Sequence, residues 1–268
     1  MSAVSLVCLP TYNECENLER MVRALVPLGV RVLVIDDNSP DGTGEIADRL
    51  VQEIEGVSVL HRARKEGLGP AYIAGFREAL RGQADYVLEM DCDFSHDPAD
   101  VPRLIAACEA GADVALGSRY VQGGGTEDWG LGRRVVSAGG SFYARTLLGV
   151  RIRDLTGGFK CFRRTVLETL DLGAIHSKGY AFQIETTYRA LRAGFRVAEV
   201  PIVFSDRTHG HSKMSRAIFL EAVARVPALR WAASREGSSS GAQNRTSAAP
   251  SSGRRPEEQR DCSRHRPP

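Results

Sequence analysis

The sequence predicts an α/β protein built on a mostly parallel central sheet flanked by helices. Short apolar runs of strand length alternate with amphipathic stretches of helix length from the first residues onward. That alternation is the pattern of buried parallel strands joined by crossover helices. Two of the runs end in paired acids: Val32-Leu33-Val34-Ile35 leads into Asp36-Asp37, and Tyr86-Val87-Leu88-Glu89-Met90 leads into Asp91-Cys92-Asp93. Open α/β sheets bind ligands outside the carboxyl ends of their strands, so two acid-tipped strands predict a shared site there.

In chain order, Val4 to Leu9 is the first strand and stops at Pro10-Thr11. Asn13 to Leu28 reads as an amphipathic helix, because Leu18, Met21, Val22, Leu25 and Val26 fall on one side. Val30 to Ile35 is the second strand, and Asp41 opens a turn into a helix around Gly44 to Glu53. Val57 to His61 is the third strand, Gly69 to Arg81 a helix rich in small residues, and Asp85 to Met90 the fourth strand. Pro98 to Ala110 is a helix and Asp113 to Gly117 the fifth strand. The regularity then breaks. Gly123 to Gly132 is a glycine-rich loop, Arg133 to Leu148 has helical character, and Phe159 to Phe162 is strand-like. Phe182 to Ala193 is helical with Gly194 at its stop, and Arg196 to Phe204 is the last strand. Met214 to Trp231 is an amphipathic helix that Pro227 bends or ends.

At 268 residues and 43% hydrophobic, the chain can bury one sizeable core. Its last 35 residues, Ser234 to Pro268, are dominated by Ser, Gly, Arg, Pro, Glu and Gln and contain no Phe, Trp or Tyr. Such a stretch cannot offset the entropy of ordering, so the expected organisation is one catalytic domain over 1–233 and a disordered tail over 234–268. Arg119 to Arg164 holds nine basic residues against three acidic ones, a local excess that suits an anionic partner such as phosphate or a lipid surface. No nucleic-acid-binding module accompanies that charge, so nucleic acid is not an expected partner. The six cysteines form no C-x-x-C pair, and neither a disulfide framework nor a cysteine metal site is expected. Met1 to Leu6 lacks the basic and apolar regions of a signal peptide, and no apolar run approaches the ~18 residues of a membrane span. The expected location is the cytoplasm.

Asp91-Cys92-Asp93-Phe94-Ser95-His96 offers carboxylate oxygens that suit a hard divalent cation, Mg2+ or Mn2+, although acidic strand ends are also common solvated turns. The second acidic end, Asp36-Asp37-Asn38-Ser39-Pro40-Asp41-Gly42, turns the reading toward a metal-bound nucleotide diphosphate. The first strand is followed by Leu9-Pro10-Thr11-Tyr12-Asn13-Glu14, where a dinucleotide-binding protein would need G-x-G-x-x-G. P-loop and H-E-x-x-H patterns are missing too.

Eight segments, in order, resemble those of the polyprenol monophosphomannose synthases, also called dolichol-phosphate mannosyltransferases, within glycosyltransferase family 2. They are Leu9 to Glu14, Asp36 to Thr43, Gly67 to Tyr72, Met90 to His96, Gly117-Ser118-Arg119-Tyr120, Leu155 to Lys160, Gly179 to Glu185, and Asp206-Arg207 with Gly210 to Lys213. The resemblance implies the GT-A fold, with a Rossmann-like mostly parallel sheet. It also implies inverting transfer of mannose from GDP-mannose to polyprenyl (dolichyl-type) phosphate, with Mg2+ or Mn2+ as cofactor. Two alternatives stay open: another family 2 hexosyltransferase, such as one moving glucose from UDP-glucose to polyprenyl phosphate, and a non-catalytic scaffold for a partner glycosyltransferase. The joint presence of Asp91, Asp93, Arg119 and Arg207 speaks against the scaffold.

By the same resemblance, Pro10, Tyr12 and Glu14 line the nucleobase and ribose pocket, followed by Ile35 and Asp37, while Asp36 holds the loop. Asp91, Cys92 and Asp93 contact the nucleotide sugar. Asp93 is the best direct metal ligand, and Ser95 matches a second metal-ligand position; many relatives carry Gln there and Ser95 is shorter, so a water fills the gap. His96 reads as a structural hydrogen bonder. Asp91, Asp93 and Arg119 form the catalytic set, and Arg119, Arg207 and Lys213, with Lys178 as a weaker candidate, contact substrate. Arg133 or Arg134, after the glycine-rich loop, is placed to meet a phosphate, where arginine offers a bidentate fork. Gly123 to Gly130 and Thr208 to Lys213 are candidate closing loops.

A polyprenyl monophosphate loses its second proton near pH ~6, so the nucleophile is already ionised and no dedicated general base is assigned. Arg133, Arg134 and Arg145 with Val135, Val136, Phe142, Leu147 and Leu148 make a mixture that suits a lipid headgroup layer; an ordinary core helix is the competing reading. The expected location is therefore peripheral, on the cytoplasmic face of a membrane. Because some family members recruit membrane proteins, a membrane-anchoring or acyltransferase partner is also considered.

Overall fold

The computed structural model describes residues 3–177, 179–205 and 225–231. Strand β1 (Ser5–Thr11) is followed by helix α1 (Leu18–Leu25), which ends in a 3-10 turn at Val26–Leu28. Then come β2 (Arg31–Asp36), α2 (Thr43–Glu53), β3 (Val57–His61), α3 (Leu68–Arg81) and β4 (Tyr86–Glu89). A 3-10 turn at Pro98–Asp100 leads into α4 (Val101–Glu109), and β5 (Val114–Ser118) follows. The second half contains β6 (Gly125–Thr126), α5 (Leu131–Leu148), β7 (Lys160–Arg163), α6 (Arg164–Thr169) and α7 (Gly179–Arg192). It closes with β8 (Val197–Pro201), β9 (Val203–Phe204) and a helical stretch over 225–231.

The seven-stranded sheet runs β3-β2-β1-β4-β7-β5-β8, and β7 alone is antiparallel to its neighbours. Successive strand residues point to opposite faces, and the apolar ones divide accordingly. Val7, Leu9, Val32, Val34, Leu88 and Met90 pack with α1, α2 and α4, whereas Cys8, Leu33, Ile35 and Val87 pack with α3, α6 and α7. Each such fully buried side chain contributes about 1.5–3 kcal/mol, so a one-residue slip of β1 or β2 would exchange the two cores and is strongly disfavoured. Gly75 sets how closely α3 approaches the sheet: a Cβ there would run into Ile35 Cδ1.

Four elements differ from expectation. Helix α1 starts at Leu18 rather than Asn13, because Asn13 takes a left-handed backbone (φ 58°). The amides of Asn13, Glu14 and Cys15 instead donate to Ser39 Oγ, Thr43 Oγ1 and Asp41 Oδ2 at 3.2, 3.0 and 3.1 Å, stitching the β1–α1 turn to the β2–α2 turn. Helix α6, with only six residues, is too short to show a period. Its first residue, Arg164, donates to the carbonyls of Leu80 (2.6 Å) and Gly82 (2.8 Å) at the end of α3, where helix carbonyls lack intrahelical donors. The last expected strand is two: β8 extends the main sheet beside β5, and β9 pairs with β6 in a second sheet. Pro201, with no N–H to give, ends the first pairing. The glycine-rich loop contains β6 and the start of α5. Most of the expected Met214–Trp231 helix, and the expected tail over 234–268, lie outside the described residues.

Candidate active site

The carboxyl ends of β1, β2, β4 and β5 open into one cavity of about 540 Å3. On its outer wall are Pro10, Thr11 and Tyr12 from the end of β1, Glu14 from the following turn, and Asp37 just past β2. Lys65 Nζ sits 3.7 Å from the centre of the Tyr12 ring, a cation–π contact that holds the ring against the loop before α3. Asp37 pairs with Arg62, whose other nitrogen lies 2.8 Å from Glu66. Burial pushes the Asp37 carboxyl above its ordinary pKa, with Arg62 drawing it back. Asp36 turns away, accepting from Ser39 Oγ at 2.6 Å, Ser39 N at 3.2 Å and Thr11 Oγ1 at 3.3 Å.

The loop after β4 forms the inner floor. Tyr72 Oη donates to Asp91 Oδ1 at 3.3 Å, and the Tyr72 ring lies parallel to Phe182, 5.9 Å away and tilted by 6°. Burial, reinforced by Asp91, raises the Tyr72 phenol well above its ordinary pKa and keeps it a donor. The Asp91 amide donates to His96 Nδ1 at 3.3 Å, and the imidazole stacks on Phe159 at 4.9 Å. Asp93 Oδ1 receives Ser95 N at 3.1 Å and Ser95 Oγ at 2.6 Å. Between them Phe94 is held left-handed at φ 58°, an uncommon conformation for a bulky residue and one that collects at functional loops. Arg20 lies over its ring at 5.0 Å.

Two arginines, Arg119 and Arg133, line the same cavity. Arg119, the residue after β5, donates Nε to Asp154 Oδ2 and Nη2 to Asp154 Oδ1, both at 2.7 Å, with Thr156 Oγ1 at 2.9 Å from Nη2. Both partners are buried (Arg119 7% and Asp154 0% exposed). Burial alone would lower the Arg119 pKa, but Asp154 more than reverses that and the guanidinium stays charged. Trp129 and Phe204 each lie 5.5 Å from it. Arg133 also lies over the Trp129 ring, 4.1 Å from its centre. Tyr120 Oη reaches Ser137 Oγ on α5 at 2.8 Å.

The donor set fits a hard divalent cation. Among the described residues no three His, Cys, Asp or Glu side chains could hold a metal together. Ions such as Mg2+ ordinarily keep waters and bind through one or two carboxylates plus substrate phosphates. Asp91 and Asp93 on one loop supply that number, and Ser95 Oγ gives its proton to Asp93.

Of the residues singled out from sequence, Pro10, Tyr12, Glu14, Asp37, Asp91, Cys92, Asp93, Ser95, His96, Arg119 and Arg133 line this cavity. Two do not. Ile35 is in the core beneath α3, because its side chain falls on the alternate face of β2. Arg134, one helix position past Arg133, points elsewhere and donates to Thr126 O at 3.0 Å. Lys178, Arg207 and Lys213, with the Thr208–Lys213 loop, lie outside the described residues. Sequence reasoning did not single out Lys65, Trp129, Thr156, Gly158 or Gln183, which also line the cavity, nor Asp154 and Arg62, which hold Arg119 and Asp37. Thr156, Gly158 and Gln183 fall inside segments that carry the family resemblance, which was the available signal.

Residues 6–171 match the family described as glycosyl transferase family 2. The chain is 49% identical over 225 residues to polyprenol monophosphomannose synthase of Mycolicibacterium smegmatis, covering 83% of this chain and 85% of that one. It is 48% identical over 229 residues to undecaprenyl-phosphate mannosyltransferase of Micrococcus luteus, covering 84% and 93%. Among solved structures, glucosyl-3-phosphoglycerate synthase from Mycobacterium tuberculosis, in complex with Mn2+, UDP and glucosyl-3-phosphoglycerate, aligns with a TM-score of 0.64 at 21% identity, covering 85% of this chain and 80% of that one. The seven-stranded α/β sheet, its acid-tipped cavity and these matches lead to one assignment: the chain belongs to glycosyl transferase family 2 and has the GT-A fold.

Proposed function

We propose that this chain transfers mannose from GDP-mannose to a polyprenyl phosphate, with inversion, releasing GDP. One observation carries the reading: two carboxylates of one loop, Asp91 and Asp93, and two arginines, Arg119 and Arg133, line a single cavity of about 540 Å3. The carboxylate side suits a metal-bound diphosphate and the arginine side suits a second phosphate, so two anions are brought together as such a transfer requires. The names of the two relatives at 49% and 48% identity support mannose as the sugar and a polyprenyl phosphate as the acceptor.

In this reading Tyr12 and Lys65 form the nucleoside end, with Asp37 held by Arg62. Asp93, shaped by Ser95, and Asp91, held by Tyr72, bind the diphosphate side; a Mg2+ or Mn2+ ion bound there supplies charge that stabilises the departing diphosphate. Arg119 and Arg133 hold the acceptor phosphate in line. That phosphate is mostly ionised at neutral pH, so no side chain has to remove a proton from the nucleophile.

The lipid end of the acceptor falls to α5. Leu131 (80% exposed), Val135 (69%), Val136 and Phe142 (59%) stand out from the protein, while the helix buries only Ser141, Ala144 and Leu148. A core helix would bury its large apolar residues instead. This face, flanked by Arg134 and Arg145, suits the headgroup boundary of a membrane. No helix among the described residues is long and apolar enough to cross one, and peripheral attachment is the proposed location. The test is a donor panel on purified protein, scored as butanol-extractable radiolabel on polyprenyl phosphate. GDP-mannose is expected to be the preferred donor; preference for UDP-glucose would overturn the assignment of the sugar.

A further inference from the structure

Phe204, the last residue of β9, touches three parts of the site that the chain itself leaves far apart. Its ring meets the His96 imidazole edge-on, with centres 5.3 Å apart and planes at 82°. It meets the Trp129 indole in the same way, at 5.3 Å and 74°. The Arg119 guanidinium lies 5.5 Å from its centre. Each neighbour is tied to a group that the transfer needs. His96 stacks on Phe159 and receives the Asp91 amide on Nδ1 at 3.3 Å. Trp129 carries Arg133 over its ring at 4.1 Å, and Arg119 is held by Asp154.

The backbone around Phe204 makes the same connection. The Phe204 carbonyl accepts the Glu127 amide at 2.9 Å beside the β6–β9 pairing. The next amide, Ser205 N, donates to Ser95 O at 3.3 Å. Strand β9 thus joins the carboxylate loop to the segment that leads into Trp129 and Arg133, and the Phe204 ring repeats that link between side chains. Edge-to-face pairs favour particular ring orientations over loose apolar contact, so they hold angle as well as distance. Phe204 also lines the cavity, yet its hydrocarbon ring has no charge or hydrogen bond to offer a phosphate. Its place in the site is explained by what it holds.

We propose that Phe204 is a positioning residue for the transfer. Its ring sets the distance and angle between the Asp91–Asp93 loop, through His96, and the two arginines, through Trp129 and Arg119. The proposal rests on the reading above, in which the loop binds the donor diphosphate and the arginines hold the acceptor phosphate. Reaction between two bound groups depends on their near-attack placement, and a displacement of about 1 Å can cost on the order of 100-fold in rate. Each substrate still binds its own part of the site, so the loss falls on kcat.

The test uses the full-length protein with GDP-mannose and a short-chain polyprenyl phosphate. Phe204→Ala should lower kcat on the order of 100-fold, and Phe204→Leu, which keeps an apolar side chain, about tenfold. Phe204→Tyr keeps both edge-to-face pairs and should return kcat to within about threefold of wild type, while KM for either substrate and the affinity for GDP hold to the same margin in all three variants. Trp129 gives a reading that does not depend on turnover. It and Trp231 are the two tryptophans of the chain, so in a Trp231→Phe background its emission should move to longer wavelength in Phe204→Ala and stay in place in Phe204→Tyr. If the alanine variant does not fold, the leucine and tyrosine pair decides. A loss confined to one KM would make Phe204 a substrate contact and overturn the proposal, as would unchanged kcat in Phe204→Leu or an equal loss in Phe204→Tyr. If the wild type uses another nucleotide sugar in place of GDP-mannose, the assignment of mannose fails, and the same variants on that donor decide Phe204. A chain that transfers no hexose overturns both.

Discussion

Asp154 grips Arg119 in a buried bidentate ion pair, with Nε and Nη2 each 2.7 Å from a carboxylate oxygen. The Arg119 amide adds a third bond to Asp154 at 3.0 Å. Asp154 is itself oriented by Glu199, which accepts the Asp154 amide at 3.0 Å and Ser118 Oγ at 2.7 Å. Arg119 is therefore a charge whose direction is set before any substrate arrives, the condition under which an electrostatic group stabilises a transition state without reorganising.

Breaking that pair should be costly in two ways. Asp154→Asn leaves a buried guanidinium without its counter-charge, a loss of about 3–5 kcal/mol, which corresponds to on the order of 10 °C in thermal midpoint for a protein of this size. Turnover, assayed well below the new midpoint, should also fall by roughly 100-fold. Calorimetry and a product assay on the same preparation check both; an unshifted midpoint would mean that Asp154 carries no such load.

Asp93→Ala should abolish turnover while the fold is kept, because Asp93 lines the cavity and its hydrogen bonds from Ser95 stay within one loop. Asp91→Asn should also be severe, with Tyr72 still able to donate to the remaining oxygen. Titrating Mg2+ or Mn2+ against product formation is the measurement, and near-normal turnover of Asp93→Ala would remove it from the metal site.

The Lys160–Glu89 pair, 3.6 Å apart and fully buried, predicts a pH-dependent stability. Burial holds the Glu89 carboxyl above its ordinary 4.5, with Lys160 opposing. In Lys160→Met that opposition is gone and the folded pKa rises further. The folded variant then keeps a proton that its unfolded chain has released. Its stability relative to Lys160→Met with Glu89→Gln should be greatest below about pH 4.5 and decline as pH rises through the folded value. Thermal midpoints of the two variants across pH 4 to 9, compared pairwise, check this; parallel curves would contradict it.

The two neighbouring arginines should separate. Arg133 lines the cavity and stacks on Trp129, whereas Arg134 bonds the Thr126 carbonyl. Arg133→Ala should weaken use of long polyprenyl phosphate in liposomes by about tenfold and leave GDP binding nearly intact. Arg134→Ala should cost only the share of a basic residue near an anionic surface, about 1 kcal/mol at most, and that loss should vanish with a short soluble acceptor. Equal losses in GDP binding would place Arg133 on the donor diphosphate.

The sheet, the strand ends and the acid-bearing loops were legible because their signals are local. The unbroken apolar run Val32-Leu33-Val34-Ile35 marks β2 as a strand buried on both faces, and Asp91-Cys92-Asp93 follows directly from the apolar run of β4. Pro201, by contrast, carried a breaking signal inside a continuous apolar stretch, and the division into β8 and β9 depended on a second sheet that only β6 makes available.

By itself, then, the sequence determined the parallel α/β architecture, the carboxylates at the strand ends and the family resemblance, all of which follow from period, order and short motifs. Tertiary structure alone decided which side chains complete the site. Asp154 meets Arg119 across 35 positions, Gln183 meets Lys160 across 23, and Tyr72 meets Asp91 across 19. Such pairings depend on how helices settle on the sheet, and no local pattern encodes that distance. The same holds for α5, whose mixture of arginine and apolar residues fits a core or a surface equally well until packing turns Val135 and Phe142 outward and Ser141 and Ala144 inward.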